Sequence, residues 1–256
     1  MSDILNDKVV IVTGAASGIG RAIAIVAAKH GAKEVIVSDV TETPREGGGP
    51  TTGEIEALGV ATRFVRTDVS KRAEVDALIE AAAEFGGVDV MVCNAGITLR
   101  SDGLDVAEND FHRLMSVNLD GVLFGAQAAA RQMKAQRKPG SIVLMGSMGG
   151  IAGAGMTVAY STSKGGVVLM AKALADALGP FGIRVNSVCP GTIDTQLLRT
   201  SPGIADTAEG LRQRTPLRRI GKPSEVGDAV AWLGSDMSSY VTGIGLLVDG
   251  GLLSVI

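Results

Sequence analysis

The stretch that most limits what this chain can fold into is Thr13-Gly14-Ala15-Ala16-Ser17-Gly18-Ile19-Gly20. It follows a β-branched run at 8–12 and precedes an apolar segment at 21–29. Strand, glycine turn and helix in immediate succession predict the opening unit of a parallel α/β sheet. Glycine lets the backbone turn sharply and approach a ligand, and the free N–H groups at the helix start attract a phosphate. The spacing is Gly-x-x-x-Gly-x-Gly and departs from the commoner Gly-x-Gly-x-x-Gly, so its weight comes from its place directly after the first strand.

The alternation continues. Strand patterns at 34–38, 61–65, 88–92, 141–145, 183–188 and 243–248 are separated by helical patterns, notably at 71–85, 110–136 and 158–179. This predicts one α/β domain over 1–256, a Rossmann-type doubly wound sheet of about seven parallel strands with helices on both faces. Aromatics make up only 3% of the chain, with Ala, Gly and Val in excess, which suits helices packed closely on such a sheet. The segment at 43–50, Thr-Pro-Arg-Glu-Gly-Gly-Gly-Pro, cannot be an unbroken helix and reads as a mobile surface excursion before a short helix near 53–58. Residues 196–219 are long enough to form a lid over a substrate.

Net charge is -3, which disfavours a nucleic-acid or polybasic membrane role. The N-terminus lacks a basic region and its first apolar run is too short for a bilayer span, so a cytoplasmic protein is expected. Cys93 and Cys189 end apolar strand-like runs and read as small buried hydrophobes, and with only His30 and His112 besides, no metal site is expected.

Candidate functional residues gather at the predicted carboxyl ends of strands. Asp39, about 20 positions beyond the glycine turn, can accept hydrogen bonds from an adenosine ribose and would repel a 2'-phosphate. Ser17 and Val40 add no positive charge, so NAD is expected over NADP. Asp68 and Val69 can meet an adenine ring, and Asn94-Ala95-Gly96 allows close backbone approach to a ligand. Asn118, flanked by apolar residues inside a helix, is either a structural bridge or an anchor for an ordered water. Ser147 ends the fifth strand beside Met148 and Gly149, and its hydroxyl can donate to a substrate oxygen. Tyr160 and Lys164 lie four apart on one helix face, where an ammonium would favour the phenolate of its neighbour.

Taken in order and spacing, Thr13 to Gly20, Asn94-Ala95-Gly96, Asn118, Ser147, Tyr160 with Lys164, and Pro190-Gly191 resemble the short-chain dehydrogenases/reductases over nearly the whole chain. The resemblance implies a nicotinamide dinucleotide cofactor and a catalytic set of Asn118, Ser147, Tyr160 and Lys164. In that scheme Tyr160 exchanges the proton, Ser147 polarises the substrate oxygen, Lys164 acidifies the phenol and holds a ribose, and Asn118 keeps a water in a proton relay. It implies cofactor contacts from Gly14, Ser17, Gly18, Ile19, Gly20, Asp39, Val40, Asp68 and Val69. Further contacts would come from Asn94, Ala95, Gly96, Pro190 and Gly191, with Ile193 and Thr195 at the carboxamide. Homotetramers are common in the family, through its two long helices and last strand. Two departures stand out: Cys93 replaces a second Asn, and Phe181 replaces a basic residue found in reductases of acyl-carrier-protein substrates.

The reading is therefore a NAD-dependent dehydrogenase of a secondary alcohol or its ketone. The alternatives are a 3-oxoacyl thioester reductase and a non-catalytic NAD-sensing protein. A substrate pocket of Ile97, Met148, Gly149, Ile151 and the lid suggests an apolar or mixed small molecule over a sugar acid.

Overall fold

The computed structural model describes residues 3–101, 103–200 and 204–255. Its first strand, β1 (Val9–Thr13), is buried along its whole length. Val9 and Ile11 enter one apolar cluster while Val10 and Val12 enter another, the period-two alternation of a strand covered on both faces. The same division holds for Met91 against Val90 and Val92, and for Ile142 and Leu144 against Val143 and Met145.

With β2 (Glu34–Asp39), β3 (Ala61–Arg66), β4 (Val90–Cys93), β5 (Gly140–Met145), β6 (Ile183–Pro190) and β7 (Gly245–Val248), β1 forms a seven-stranded parallel sheet ordered β3-β2-β1-β4-β5-β6-β7. Winding reverses between β1 and β4, and such a switch leaves a crevice at the carboxyl ends of the strands.

The helices in chain order are α1 (Gly18–Lys29), α2 (Thr51–Glu56), α3 (Arg72–Glu80), α4 (Glu108–Met115), α5 (Gly121–Ala135), α6 (Gly149–Ala152), α7 (Val158–Leu178), α8 (Gln196–Thr200), α9 (Ile204–Arg214) and α10 (Pro223–Gly234). One face of the sheet is covered by α1 and α10, the other by α3, α5 and α7. Small residues set these distances: a Cβ on Gly227 of α10 would stand 2.9 Å from Val26 Cγ2 of α1. A Cβ on Gly125 of α5 would likewise meet Cys93 Sγ at 2.9 Å, so the thiol faces the helix layer. Both cysteines are buried and free.

Three expectations change. The helix expected at 110–136 begins at Glu108 and is interrupted by a π-helical turn, Ser116–Asp120, between α4 and α5. The short helix expected near 53–58 is α2, two residues earlier. The segment 196–219 holds two helices, α8 and α9, where loop was expected.

Candidate active site

At the end of β1 the Thr13 hydroxyl accepts the N–H groups of Asn94 and Ala95, at 3.0 and 3.1 Å. The Asn94 amide donates in return to the carbonyls of Thr13 and Gly14, at 2.8 and 3.1 Å. One asparagine thus ties the end of β4 to the glycine turn, which is why the loss of a second Asn at Cys93 leaves this join intact. The turn is too tight for side chains: a Cβ on Gly20 would stand 2.1 Å from the Gly14 carbonyl oxygen, and Gly14 itself has φ +64°.

Beside the turn, Asp39 at the end of β2 accepts from the Ala16 N–H at 3.1 Å and the Val40 N–H at 2.8 Å, which fixes its carboxylate at the rim. Gly18, at φ +58°, has only the Thr195 side chain near its missing Cβ, at 3.7 Å. These features fit a nicotinamide dinucleotide: a backbone-lined turn at the N-terminus of a twelve-residue helix for the pyrophosphate, and an oriented carboxylate for ribose hydroxyls.

From this turn a cleft of about 560 Å³ runs along the carboxyl ends of the strands, a size that suits a small-molecule site. Gly14, Ser17, Gly18, Ile19, Gly20, Asp39, Val40, Asp68 and Val69 line its first half. Asn94, Ala95, Gly96, Ser147, Met148, Gly149, Tyr160, Lys164, Pro190, Gly191, Ile193 and Thr195 line the remainder. Asn118 stands behind this wall, fully buried. Ile151 is half exposed and lies outside the cleft, contrary to the expectation that it lines the substrate pocket. Asp68 is held ionised below the usual carboxylate range, first by the Ser70 hydroxyl at 2.7 Å, then by the Ser70 N–H and Lys71.

Tyr160 and Lys164 rise from α7, with the Lys164 Nζ 5.8 Å from the centre of the Tyr160 ring. Ser147, at the end of β5, approaches from the other side; a Cβ on Gly149 would lie 3.5 Å from its Oγ and 3.8 Å from Tyr160 Cε1. The electrostatics differ from the expected acidified phenol. Burial pushes the Tyr160 phenol above its ordinary value, and the Ser147 hydroxyl, not the lysine, is the group that pulls it down. The Lys164 ammonium is directed at the Met145 carbonyl, 2.7 Å away, and burial lowers it to about 8.

The amide of Asn118 acts as a bridge: its Oδ1 accepts the Ile97 N–H at 2.8 Å, while its Nδ2 donates to the Ile97 carbonyl at 2.9 Å and the Ser163 Oγ at 3.3 Å. The side chain thus forms the structural bridge that was one of the two readings open in the sequence, and it does so from the π-helical turn.

Sequence reasoning missed the part played by residues 40–50. This segment docks on the glycine turn: the Glu46 carboxylate accepts the Gly18 N–H at 2.9 Å, and the Arg45 N–H donates to Ser17 Oγ at 2.8 Å. Arg21 anchors its far side through the Gly49 carbonyl at 2.9 Å and an ion pair with Glu54. Arg45 and Glu46 both line the cleft, as do Thr98, Arg100, Thr157, Leu198 and Leu211. Leu198 and Leu211 sit on α8 and α9, but the others lie outside regular helices and strands, where no periodicity marks them and only spacing from the glycine turn, Asn94 or Tyr160 could have pointed to them.

A family model described as enoyl-(acyl carrier protein) reductase matches residues 14–253. The chain is 36% identical to a short-chain type dehydrogenase/reductase from Mycobacterium marinum, whose crystal structure superposes with a TM-score of 0.90 over 98% of this chain and 97% of that one. This chain belongs to the short-chain dehydrogenase/reductase family. Among curated members it is 40% identical to the L-rhamnose 1-dehydrogenase (NAD(P)(+)) of Azotobacter vinelandii, over 97% of this chain and 98% of that one. It is 39% identical to the cis-4-hydroxycyclohexanecarboxylate dehydrogenase of Sinomonas cyclohexanicum, over the whole of both. The family assignment makes the protein an oxidoreductase of CH–OH groups that uses a nicotinamide cofactor.

Among the described residues no cluster of His, Cys, Asp and Glu could hold a metal ion, and no helix is long and apolar enough to cross a membrane.

Proposed function

We propose that this short-chain dehydrogenase/reductase is NAD-linked and interconverts a secondary alcohol and its ketone. The observation that carries this reading is the meeting of Tyr160, Ser147 and Lys164 in the cleft that begins at the glycine turn. Tyr160 takes the hydroxyl proton as the carbonyl forms and returns it in the reverse direction, while Ser147 orients and polarises the substrate oxygen. Lys164 keeps two N–H donors beyond the one on Met145, enough to hold the nicotinamide ribose. Asn118 fixes the Ile97 backbone at the cleft wall. A bound dinucleotide would supply the hydride acceptor or donor; placement and proton handling belong to the protein.

The oriented carboxylate of Asp39 supports NAD over NADP. Use of NADP as well is a second reading with Arg45 in its favour, since that residue brings a guanidinium to the same cleft. Leu198 of α8 and Leu211 of α9 line the cleft and support a lid over 196–219, of which 201–203 lie outside the described residues. Exposed Leu169 on α7 and Leu247 on β7 support a homotetramer.

The deciding experiment follows nicotinamide absorbance with a panel of secondary alcohols and ketones and both cofactors. Turnover with NAD that falls by about 100-fold or more in Tyr160→Phe, with NAD binding retained, is the expected result. Turnover that survives the substitution would overturn the mechanism.

A further inference from the structure

Beyond the reacting groups, the substrate end of the cleft is walled by Ile97, Met148, Leu198 and Leu211, with Thr98, Thr157 and Gln196 adding uncharged polar groups. The carboxylates that line the cleft, Asp39, Glu46 and Asp68, all stand at the ends of β2 and β3 or on the glycine turn, where the adenosine half of the cofactor would lie. Among the described residues one charged side chain is left at the substrate end besides Lys164. It is Arg100, on the segment that follows β4.

Arg100 is exposed and forms no hydrogen bond or ion pair with any described residue. Three arginines near the lid are engaged: Arg199 with Asp194 at 2.9 Å, Arg212 with Glu209 at 2.8 Å, and Arg219 with Glu225 at 2.8 Å. The backbone that carries Arg100 is held in place. The Ser101 N–H donates to the Met156 carbonyl at 3.2 Å, and a Cβ on Gly103 would lie 3.2 Å from Val158 Cγ2 and 3.3 Å from the Gly155 carbonyl. Those contacts tie the loop to the turn Gly155–Thr157 that leads directly into α7, the helix that carries Tyr160.

A guanidinium matches a carboxylate through paired N–H donors, a pairing that the uncharged side chains around it cannot supply. We propose that Arg100 receives a carboxylate at the end of the substrate remote from its reacting carbon. The substrate class is then a secondary hydroxy acid, or the matching oxo acid, with an apolar body between its two functional groups. This assignment rests on the dehydrogenase reading given above.

The test uses hydroxy acids of graded spacer length, each beside its methyl ester, assayed with NAD. At least one acid should exceed its ester in kcat/KM by about tenfold or more, the worth of one charge-assisted contact. In Arg100→Gln the acid-to-ester ratio should fall towards one, chiefly through the KM of the acid, and Arg100→Lys should recover part of it. Acids no better than esters, or an advantage that persists in Arg100→Gln, would overturn the proposal. If no compound turns over, calorimetric titration of the same acids into the enzyme with NAD separates the two ideas. Binding of an acid that disappears in Arg100→Gln upholds the anion site and sinks the dehydrogenase reading, whereas no binding of any acid sinks the anion site.

Discussion

At the scale of single residues, the groups that meet in the cleft were legible because each breaks a local pattern. Asn118 is polar in a helix interior, Ser147 interrupts glycines at a strand end, and Tyr160 and Lys164 share a helix face. Their electrostatics were not legible, because desolvation depends on what packs above and below. Lys164 shows the difference: its ammonium was expected to act on the phenol, yet burial lowers it from 10.5 to about 8. An unfolded lysine holds its proton more tightly, so between about 8 and 10.5 the unfolded chain carries more protons and stability rises with pH. The gap in stability between wild type and Lys164→Met, followed by denaturant unfolding, should therefore shift in favour of wild type as pH climbs through that window. Asp39 provides a second check. Replacing it with serine removes the repulsion of a 2'-phosphate, so kcat/KM with NADP relative to NAD should rise by about tenfold or more in steady-state assays.

At the scale of elements, the strands and α7 were read to within two residues, since a strand buried on both faces and an Ala-rich helix each leave a periodic trace, whereas the helix expected at 71–85 stops at Glu80 and the one expected at 110–136 is interrupted. The irregular pieces left none. Residues 43–50 read as a mobile excursion because Pro and three glycines forbid a helix, but their placement follows from tertiary contacts: Glu46 on the Gly18 N–H and the Arg45 N–H on Ser17. A carboxylate there stands on one of the backbone donors that a dinucleotide phosphate would use. Glu46→Ala should accordingly tighten NAD binding by about two- to fivefold, the worth of one charge at a helix N-terminus, as read by fluorescence titration. Weaker binding would mean that the segment helps to hold the cofactor in place. The π-helical turn at Ser116–Asp120 was equally unread, since the helical pattern on either side of it was taken as one continuous run.

At the scale of the whole molecule, the parallel order and the two helix layers follow from the repeated strand-helix alternation and the right-handed crossover it demands. What no alternation encodes is how far each interior atom lies from solvent. Cys93 and Cys189 are the two thiols of the chain, both sealed between sheet and helices, and burial raises both, Cys93 to about 12. A thiolate is the reactive form, so folded protein should resist maleimide and disulfide reagents for as long as it stays folded, and titrate two groups only in denaturant. The molecule is in this sense a blank background for site-specific chemistry. A cysteine placed at the fully exposed Tyr240, as Tyr240→Cys, would take a single dye, and fluorescence from that one label could report encounters at the surface without removing either native sulfur.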